Sequence, residues 1–400
     1  MQKLANYSSL QTHAHTDTYI FMLRPNLLLD SLVGGSRPLG HLIRYRSPLL
    51  HLYLTVPKNL LVRKFSDDAK GKLTQRKVTT FTEEQLENAR KQRLEGLGPF
   101  VSRLPTKLIP YAELMRLEKP VGTWLLYLPC TWGILMGAME TSATLGSTIL
   151  MLGLFGLGSI IMRGAGCTIN DIMDKNLDDK VIRSVERPIA SGRVSVKNAS
   201  LFLAGQVSLG MVILTQLPAE CWWLGLASLP IVFTYPLFKR FTYYPQAALS
   251  ACFNWGALLG FPAMGVIDWP TMIPLYLGSY LWCMIYDTIY AHQDKKFDIK
   301  AGIKSTALAW GERTKPICYT LAAAQLSLYT IAGINSGLIL GPGFLAGLGI
   351  FGYRLFSMIR EVDLDNPQDC WKAFNSNINT GLYFSYALFF DYLLKLMGFL

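Results

Sequence analysis

Hydrophobic and polar positions alternate in long blocks along this chain. From about residue 120 onward, apolar runs fall at 121–139, 145–166, 198–216, 221–238, 246–266, 270–290, 316–334, 338–358 and 378–399, with polar loops between them. Each run is near the ~20 residues that a helix needs to cross the hydrocarbon core of a bilayer. The pattern predicts an all-α, polytopic membrane protein with about nine transmembrane helices. Residues 66–110 are polar. Within them Thr82-Glu83-Glu84-Gln85 has the form of a helix start, and the spacing predicts a helix to about Glu95 that ends at Gly96 and Gly98.

Composition agrees. Of 400 residues, 51% are hydrophobic and only 16% are charged, against about 25% charged in an ordinary soluble domain. The formal net charge of +11 sits in the loops and in the N-terminal tail. That distribution fits membrane topology and anion binding, and nucleic acid is not an expected partner. The cysteines Cys130, Cys167, Cys221, Cys252, Cys283, Cys318 and Cys370 show no CxxC spacing and lie mostly in apolar surroundings. They read as small core hydrophobes, not as disulfides or metal ligands.

Residues 1–65 hold eight Lys/Arg against two acids, Asp17 and Asp30, and are rich in Ser, Thr and Leu. Basic, serine-bearing and acid-poor is the signature of a mitochondrial transit peptide, and Arg63-Lys64-Phe65-Ser66 has the form of a cleavage site. The expected organisation is a leader over 1–65, a polar matrix-side segment over 66–110 and an intramembrane domain over 111–400. The loops alternate in charge. Those after the second, fourth, sixth and eighth runs carry Lys and Arg, whereas those around Glu140, Glu220, Asp268 and Ser336 carry none. The positive-inside bias then places the N-terminus and the basic loops on the matrix side of a mitochondrial inner membrane.

Two acid clusters follow apolar runs on that same side. In the first, Asn170, Asp174 and Asp178 are spaced i, i+4 and i+8, so they share one helical face, and Asp171 flanks the stripe. Carboxylates this close repel unless a cation compensates them. Mg²⁺ suits the set, because it takes one or two carboxylates together with waters and phosphate oxygens. The basic residues that follow, Lys180, Arg183 and Arg187, suit the remaining oxygens of a diphosphate. Asp179 and Glu186 read as solvated loop charges. The second cluster is Asp287, Asp294 and Asp298, spaced i, i+7 and i+11. Asp287 lies within or beside an apolar span, where an acid is a functional candidate by default. His292 reads as a loop residue, and Lys304 and Ser305 are placed to contact phosphate.

Several stretches, taken in order, resemble the UbiA-type intramembrane aromatic prenyltransferases. They are Met115-Arg116-Leu117-Glu118-Lys119-Pro120-Val121-Gly122-Thr123-Trp124, then Met162-Arg163-Gly164-Ala165-Gly166-Cys167-Thr168-Ile169-Asn170-Asp171, then Glu186-Arg187-Pro188-Ile189-Ala190-Ser191-Gly192. The segment from Tyr235 to Gln246 and that from Tyr286 to Ser305 complete the likeness, which covers roughly 111–400. One departure is Glu186, where the family usually has Asn before the Arg-Pro pair. Within the family the motifs are most similar to members that prenylate 4-hydroxybenzoate in ubiquinone synthesis.

The resemblance implies a helical bundle around a central cavity that is capped by the acid clusters and open laterally to the bilayer. It implies polyprenyl diphosphate and 4-hydroxybenzoate as substrates, Mg²⁺ as cofactor and other ubiquinone-synthesis enzymes as partners. Asn170, Asp174, Asp178, Asp294 and Asp298 would hold the metal. Lys180, Arg183, Arg187, Lys239, Arg240 and Lys304 would bind diphosphate. Asp287, with Asp171, would serve the chemistry at the acceptor, and Arg163, Tyr235, Asn254 and Tyr290 would bind it. Prenylation of another aromatic acceptor is the nearest alternative, and a secondary transporter is the alternative from another class.

Overall fold

The computed structural model describes residues 65–67, 72–74, 81–179, 181–182 and 184–400. The expected leader over 1–65, apart from Phe65, lies outside the described residues, as do Lys180, Arg183 and the side chain of Lys239. A short antiparallel pair, β1 (Phe65–Asp67) and β2 (Lys72–Thr74), precedes the helices, with Phe65 opposite Thr74. Helix α1 (Glu83–Glu95) begins as the sequence predicts. Thr82 accepts from the Gln85 amide at 3.3 Å and the Gln85 side chain accepts from the Thr82 amide at 3.0 Å, a reciprocal cap. The helix stops at Gly96, and Gly98, at φ +70°, turns the chain into α2 (Gly98–Val101). The short helix α3 (Ile109–Leu114) leads to the apolar bundle.

The bundle comprises α4 (Val121–Glu140), α5 (Leu145–Met173), the short turn α6 (Lys175–Asp178), α7 (Val196–Leu214), α8 (Ala219–Phe241), α9 (Pro245–Phe253), α10 (Gly256–Ala263) and α11 (Trp269–Ala291), then α12 (Lys295–Ala301), α13 (Thr306–Trp310), α14 (Thr314–Asn335), α15 (Pro342–Glu361) and α16 (Pro367–Leu396). Among the described residues, six helical stretches are long and apolar enough to cross a membrane: α4, α5, α7, Ala219–Phe238 of α8, Thr306–Asn335 and α15. The remaining expected spans fall on the α9–α10 pair, on tyrosine-rich α11 and on α16, which carries Asn375, Asn377, Asn379 and Asp391. Within a bilayer such backbone is satisfied only in helical form.

The span expected at 246–266 is broken at Asn254 and Trp255. Its second half lies against α4 through glycines on both helices. A Cβ on Gly133 would stand 2.6 Å from the Ala257 carbonyl oxygen, and one on Gly260 would stand 2.5 Å from the Gly133 carbonyl carbon. Gly133-x3-Gly137 and Gly256-x3-Gly260 thus form a paired small-residue seam that lets two backbones touch. Beyond it sits an aromatic hub. Trp132 is fully buried and packs on Trp282, Tyr329, Phe351 and Phe384 with ring centroids 5.2–6.0 Å apart. Its indole N–H donates to Ser385 at 2.9 Å, and that of Trp282 donates to Asn377 at 2.8 Å. These bonds satisfy the polar atoms of large buried rings.

We expect Gly260→Ala to reduce folded protein sharply, because its Cβ meets rigid backbone. Overpacking of this kind costs about 1–3 kcal/mol or more. Gly153→Ala, which meets nothing within 4 Å, should leave the thermal unfolding midpoint unchanged. Equal midpoints for the two variants in detergent would reject the seam as a packing constraint.

Candidate active site

The polar ends of α5, α8, α11 and α15 lie together at one end of the bundle. The Arg240 guanidinium donates to the carbonyl of Met173 at 3.1 Å, Lys304 donates to that of Phe241 at 3.1 Å, and Lys315 donates to that of Arg360 at 2.9 Å. Each lysine or arginine meets a helix C-terminus, the end that favours cations.

Between these ends lies a cavity of about 260 Å³. Asn170, Asp174, Asp178 and Arg187 line it from one side, and Asp287, Tyr290, Asp294 and Asp298 line it from the other. Tyr235, Gln246, Lys304 and Ser305 are also in its wall. A larger groove of about 600 Å³ runs along α3, α5 and α7, past Tyr111, Ile161, Leu201 and Phe202, but no acid or cation lines it.

The first acid face survives a break in the helix. α5 ends at Met173 with Asp174 as its C-cap, and α6 follows. The Asp174 amide donates to the Asn170 carbonyl at 2.8 Å and the Asp178 amide to the Asp174 carbonyl at 2.9 Å. The i, i+4 register therefore continues through Asp178. The second set crosses three elements: Asp287 in α11, Asp294 in the 3₁₀ turn His292–Asp294 and Asp298 in α12. Gly302, at φ +67°, then reverses the chain and delivers Lys304 and Ser305 to the wall. Gln246 accepts from the Thr306 amide at 3.0 Å and pins that return.

Arg187 is the electrostatic centre. Its guanidinium donates to both oxygens of Asp178, at 2.8 and 3.0 Å, and lies 3.3 Å from Asp171. Burial works against the charge on Arg187, but Asp171 and Asp178 outweigh it and raise its pKa. Burial pushes the Asp178 carboxyl up to about 6 against the pull of Arg187, and the charges of Asp171 and Asp174 add to the rise.

Other expected site residues stand off the wall. Asp171 is buried behind it, between Arg116 at 2.8 Å and Arg187. Arg163 lies under Gly122, with its guanidinium 5.7 Å from the Phe253 ring centroid, and its charge acts on Asp287. Asn254 is fully buried at the α9 break, where its amide donates to Ser250 at 2.9 Å. His292 is buried and bonds Thr314 at 3.1 Å; burial, helped by Lys295, lowers its pKa to about 4.

One expectation is overturned. Glu186 is not a solvated loop charge: it is buried, its carboxylate lies 3.5 Å from Arg93 of α1, and its carbonyl accepts from Arg193. Arg93, Glu113, Arg116 and Arg193 were not foreseen as part of this region. Their partners come from distant parts of the chain, so only the register of Glu186 beside Arg187 pointed toward them.

The family model for the UbiA prenyltransferase family matches residues 126–385. The chain belongs to this family. It is 75% identical over 320 residues to the mitochondrial 4-hydroxybenzoate polyprenyltransferase of Saccharomyces cerevisiae, covering 80% of this chain and 86% of that one. It is 48% identical over 283 residues to the protein of that name from Homo sapiens, covering 70% and 75%. Among solved structures, the apo UbiA homolog from Aeropyrum pernix superposes with a TM-score of 0.56 at 20% identity, over 67% of this chain and 97% of that one. The Archaeoglobus fulgidus homolog bound to GPP and Mg²⁺ superposes with a TM-score of 0.52 at 21% identity, over 70% and 99%. At that identity the likeness shows the fold.

The donor set fits a hard divalent cation. Among the described residues, no three His, Cys, Asp or Glu side chains converge as a cage built from protein alone requires. The acids instead face each other across a cavity, and a metal there must complete its shell with water and substrate oxygens, as Mg²⁺ does. Charge points the same way. Among the described lining side chains, five carboxylates (Asp174, Asp178, Asp287, Asp294 and Asp298) face two cations, Arg187 and Lys304.

Arg187→Ala should destabilise the protein, because it leaves Asp171 and Asp178 facing each other without their shared cation. Breaking a fully buried pair costs about 3–5 kcal/mol. With the Arg187 side chain 26% exposed, we expect about 2–3 kcal/mol after screening. Adding Asp178→Asn should recover part of the loss in thermal unfolding; a purely additive double variant would contradict the pairing.

Proposed function

We propose that the protein transfers a polyprenyl chain from polyprenyl diphosphate to the ring carbon ortho to the hydroxyl of 4-hydroxybenzoate. The observation that carries the reading is the cavity in which two acid sets and Arg187 face one another. The acceptor rests on the relatives named 4-hydroxybenzoate polyprenyltransferase. Their mitochondrial designation, with the apolar helices of this chain, supports a mitochondrial membrane location. We place the chain in the inner membrane with the cavity facing the matrix, and assign residues 1–65 to a transit peptide. The segment 66–110 lies on the matrix side, the intramembrane domain runs over 111–400, and nine spans cross the bilayer. Other ubiquinone-synthesis enzymes are the expected partners.

Asp174 and Asp178 on one wall and Asp294 and Asp298 on the other would hold Mg²⁺, with Asn170 adding a neutral oxygen. Bound there, the ion would supply charge neutralisation at the leaving diphosphate. The chain's own residues do the rest. Arg187 and Lys304 bind phosphate oxygens not satisfied otherwise, with Lys180, Arg183, Lys239 and Arg240 as further cations of the same loops. The allylic C1–O bond breaks with its electron pair leaving on diphosphate. The ring carbon then attacks C1, and the ring proton is lost. Asp287, in the cavity wall, polarises the acceptor phenol and receives a proton. Tyr235 and Tyr290, in the cavity wall, shape the aromatic slot, and ring faces stabilise the developing cation. Arg163 and Asn254, which stand behind the wall, support the acceptor end from there. Asp171 contributes through Arg187, since it lies behind the wall.

Membranes bearing residues 66–400, given Mg²⁺, a long-chain polyprenyl diphosphate and labelled 4-hydroxybenzoate, should form a ring-prenylated product, and EDTA should abolish it. Asp178→Ala and Asp294→Ala should each lower turnover by about 10²–10³-fold, the scale of lost transition-state electrostatics, while still inserting into membranes. Full activity in both variants would overturn the assignment of the acid sets.

A further inference from the structure

We infer that Arg93, from the polar segment, and Glu113 and Arg116, just ahead of the first span, are positioning residues for Arg187 and make this stretch before the span part of the diphosphate site. The inference rests on the diphosphate reading of the cavity. All three residues lie before residue 126, where the family match begins.

Glu113 of α3 is buried, and its two carboxylate oxygens are divided between α1 and the loop after α6. Oε1 accepts from Arg93 of α1 at 3.1 Å, and Oε2 accepts from Arg193. Arg93 also reaches the Glu186 carboxylate, and Arg193 donates to the Glu186 carbonyl. Glu186 is thereby held by side chain and by backbone, and the next residue is Arg187. From the other side, Arg116 donates to Asp171 Oδ1 at 2.8 Å, the same oxygen that Arg187 approaches at 3.3 Å. The ion pairs form two sets: Arg93 and Arg193 share Glu113, with Arg93 also on Glu186, and Arg116 and Arg187 share Asp171, with Arg187 also on Asp178; the Arg116 bond to the Glu113 carbonyl and the Glu186-Arg187 peptide join them.

Two features argue that this set fixes geometry and is not there mainly for stability. Partly buried ion pairs gain little over apolar packing of the same volume, so their return lies in a defined arrangement. Arg116 also sits at φ +57°, in the left-handed region. After a helix that position ordinarily goes to glycine, and an arginine there carries strain. The strain delivers a guanidinium to Asp171, with Arg116 also donating to the Glu113 carbonyl at 2.7 Å. A loop stop alone needs no such side chain.

The test compares wild type, Arg93→Ala, Glu113→Gln and Glu113→Asp as purified full chains in lipid nanodiscs. It measures binding of inorganic diphosphate with Mg²⁺, then KM for polyprenyl diphosphate and for 4-hydroxybenzoate separately. We expect Arg93→Ala and Glu113→Gln to weaken diphosphate binding and raise the donor KM about tenfold, a change equivalent to about 1.4 kcal/mol. The acceptor KM should stay put, and Glu113→Asp should recover most of the loss. Wild-type diphosphate binding in both neutral variants, or donor and acceptor KM rising together, overturns the inference. If Glu113→Gln does not fold, Arg93→Ala on the surface helix decides alone. A wild type that binds no diphosphate with Mg²⁺ overturns the reading of the cavity and this inference with it.

Discussion

Carboxylates at a membrane boundary persist only where cations stand within reach, and that requirement organises the polar end of this molecule. Arg187 answers it for Asp171 and Asp178 together, and Arg116 answers it again for Asp171. The chain reaches this arrangement by carrying α5 past its apolar section. The helix breaks at Asp174, yet the amide-to-carbonyl register runs on to Asp178. The break therefore costs little in alignment, and the acids on either side of it, Asp174 and Asp178, both remain buried.

The apolar end supplies the rigidity that such a site requires. At the glycine seam between α4 and α10 the two backbones meet, and the aromatic hub around Trp132 ties α4 to α11, α14, α15 and α16. Close-packed interiors transmit small displacements instead of absorbing them. Asp287 lies on the same helix as Trp282, one turn and a half toward the polar end, so its position is set by that hub. The break at Asn254–Trp255 ends α9, whose first residues Pro245 and Gln246 line the cavity. The seam and the cavity wall are thus the two halves of one expected span.

What could be read from the sequence follows from how local each feature is. The cap of α1, the apolar runs and the shared face of Asn170, Asp174 and Asp178 depend on neighbours a turn away, and periodicity reports them. Asp287, Asp294 and Asp298 also reached one cavity, although they cross a 3₁₀ turn that a continuous-helix argument does not contain. Asp171 shows the limit. One residue around the helix from Asn170, it points behind the wall, where Arg116 from 55 residues earlier meets it. Glu186 was misread for the same reason: a charged residue in a loop gives no local sign that Arg93 will cover it. The break at Asn254 was equally hidden, since the apolar run continues through it.

The charge pattern links these features to chemistry. Before substrate arrives, Arg187 serves the acids of the first set, and the described lining of the cavity carries more carboxylates than cations. With diphosphate and a divalent metal bound as proposed, Asp174, Asp178, Asp294 and Asp298 would hold the ion, which would supply compensating charge, and Arg187 would bind phosphate oxygens. The residues on either side of Arg187 must then hold their place while its guanidinium changes partners. An anchored Glu186 on one side and Pro188 on the other provide that. Electrostatic preorganisation works only when the groups that stay charged do not move, which is a physical reason for the loop bearing Arg187 to be tethered to α1 through Glu186 and Arg93.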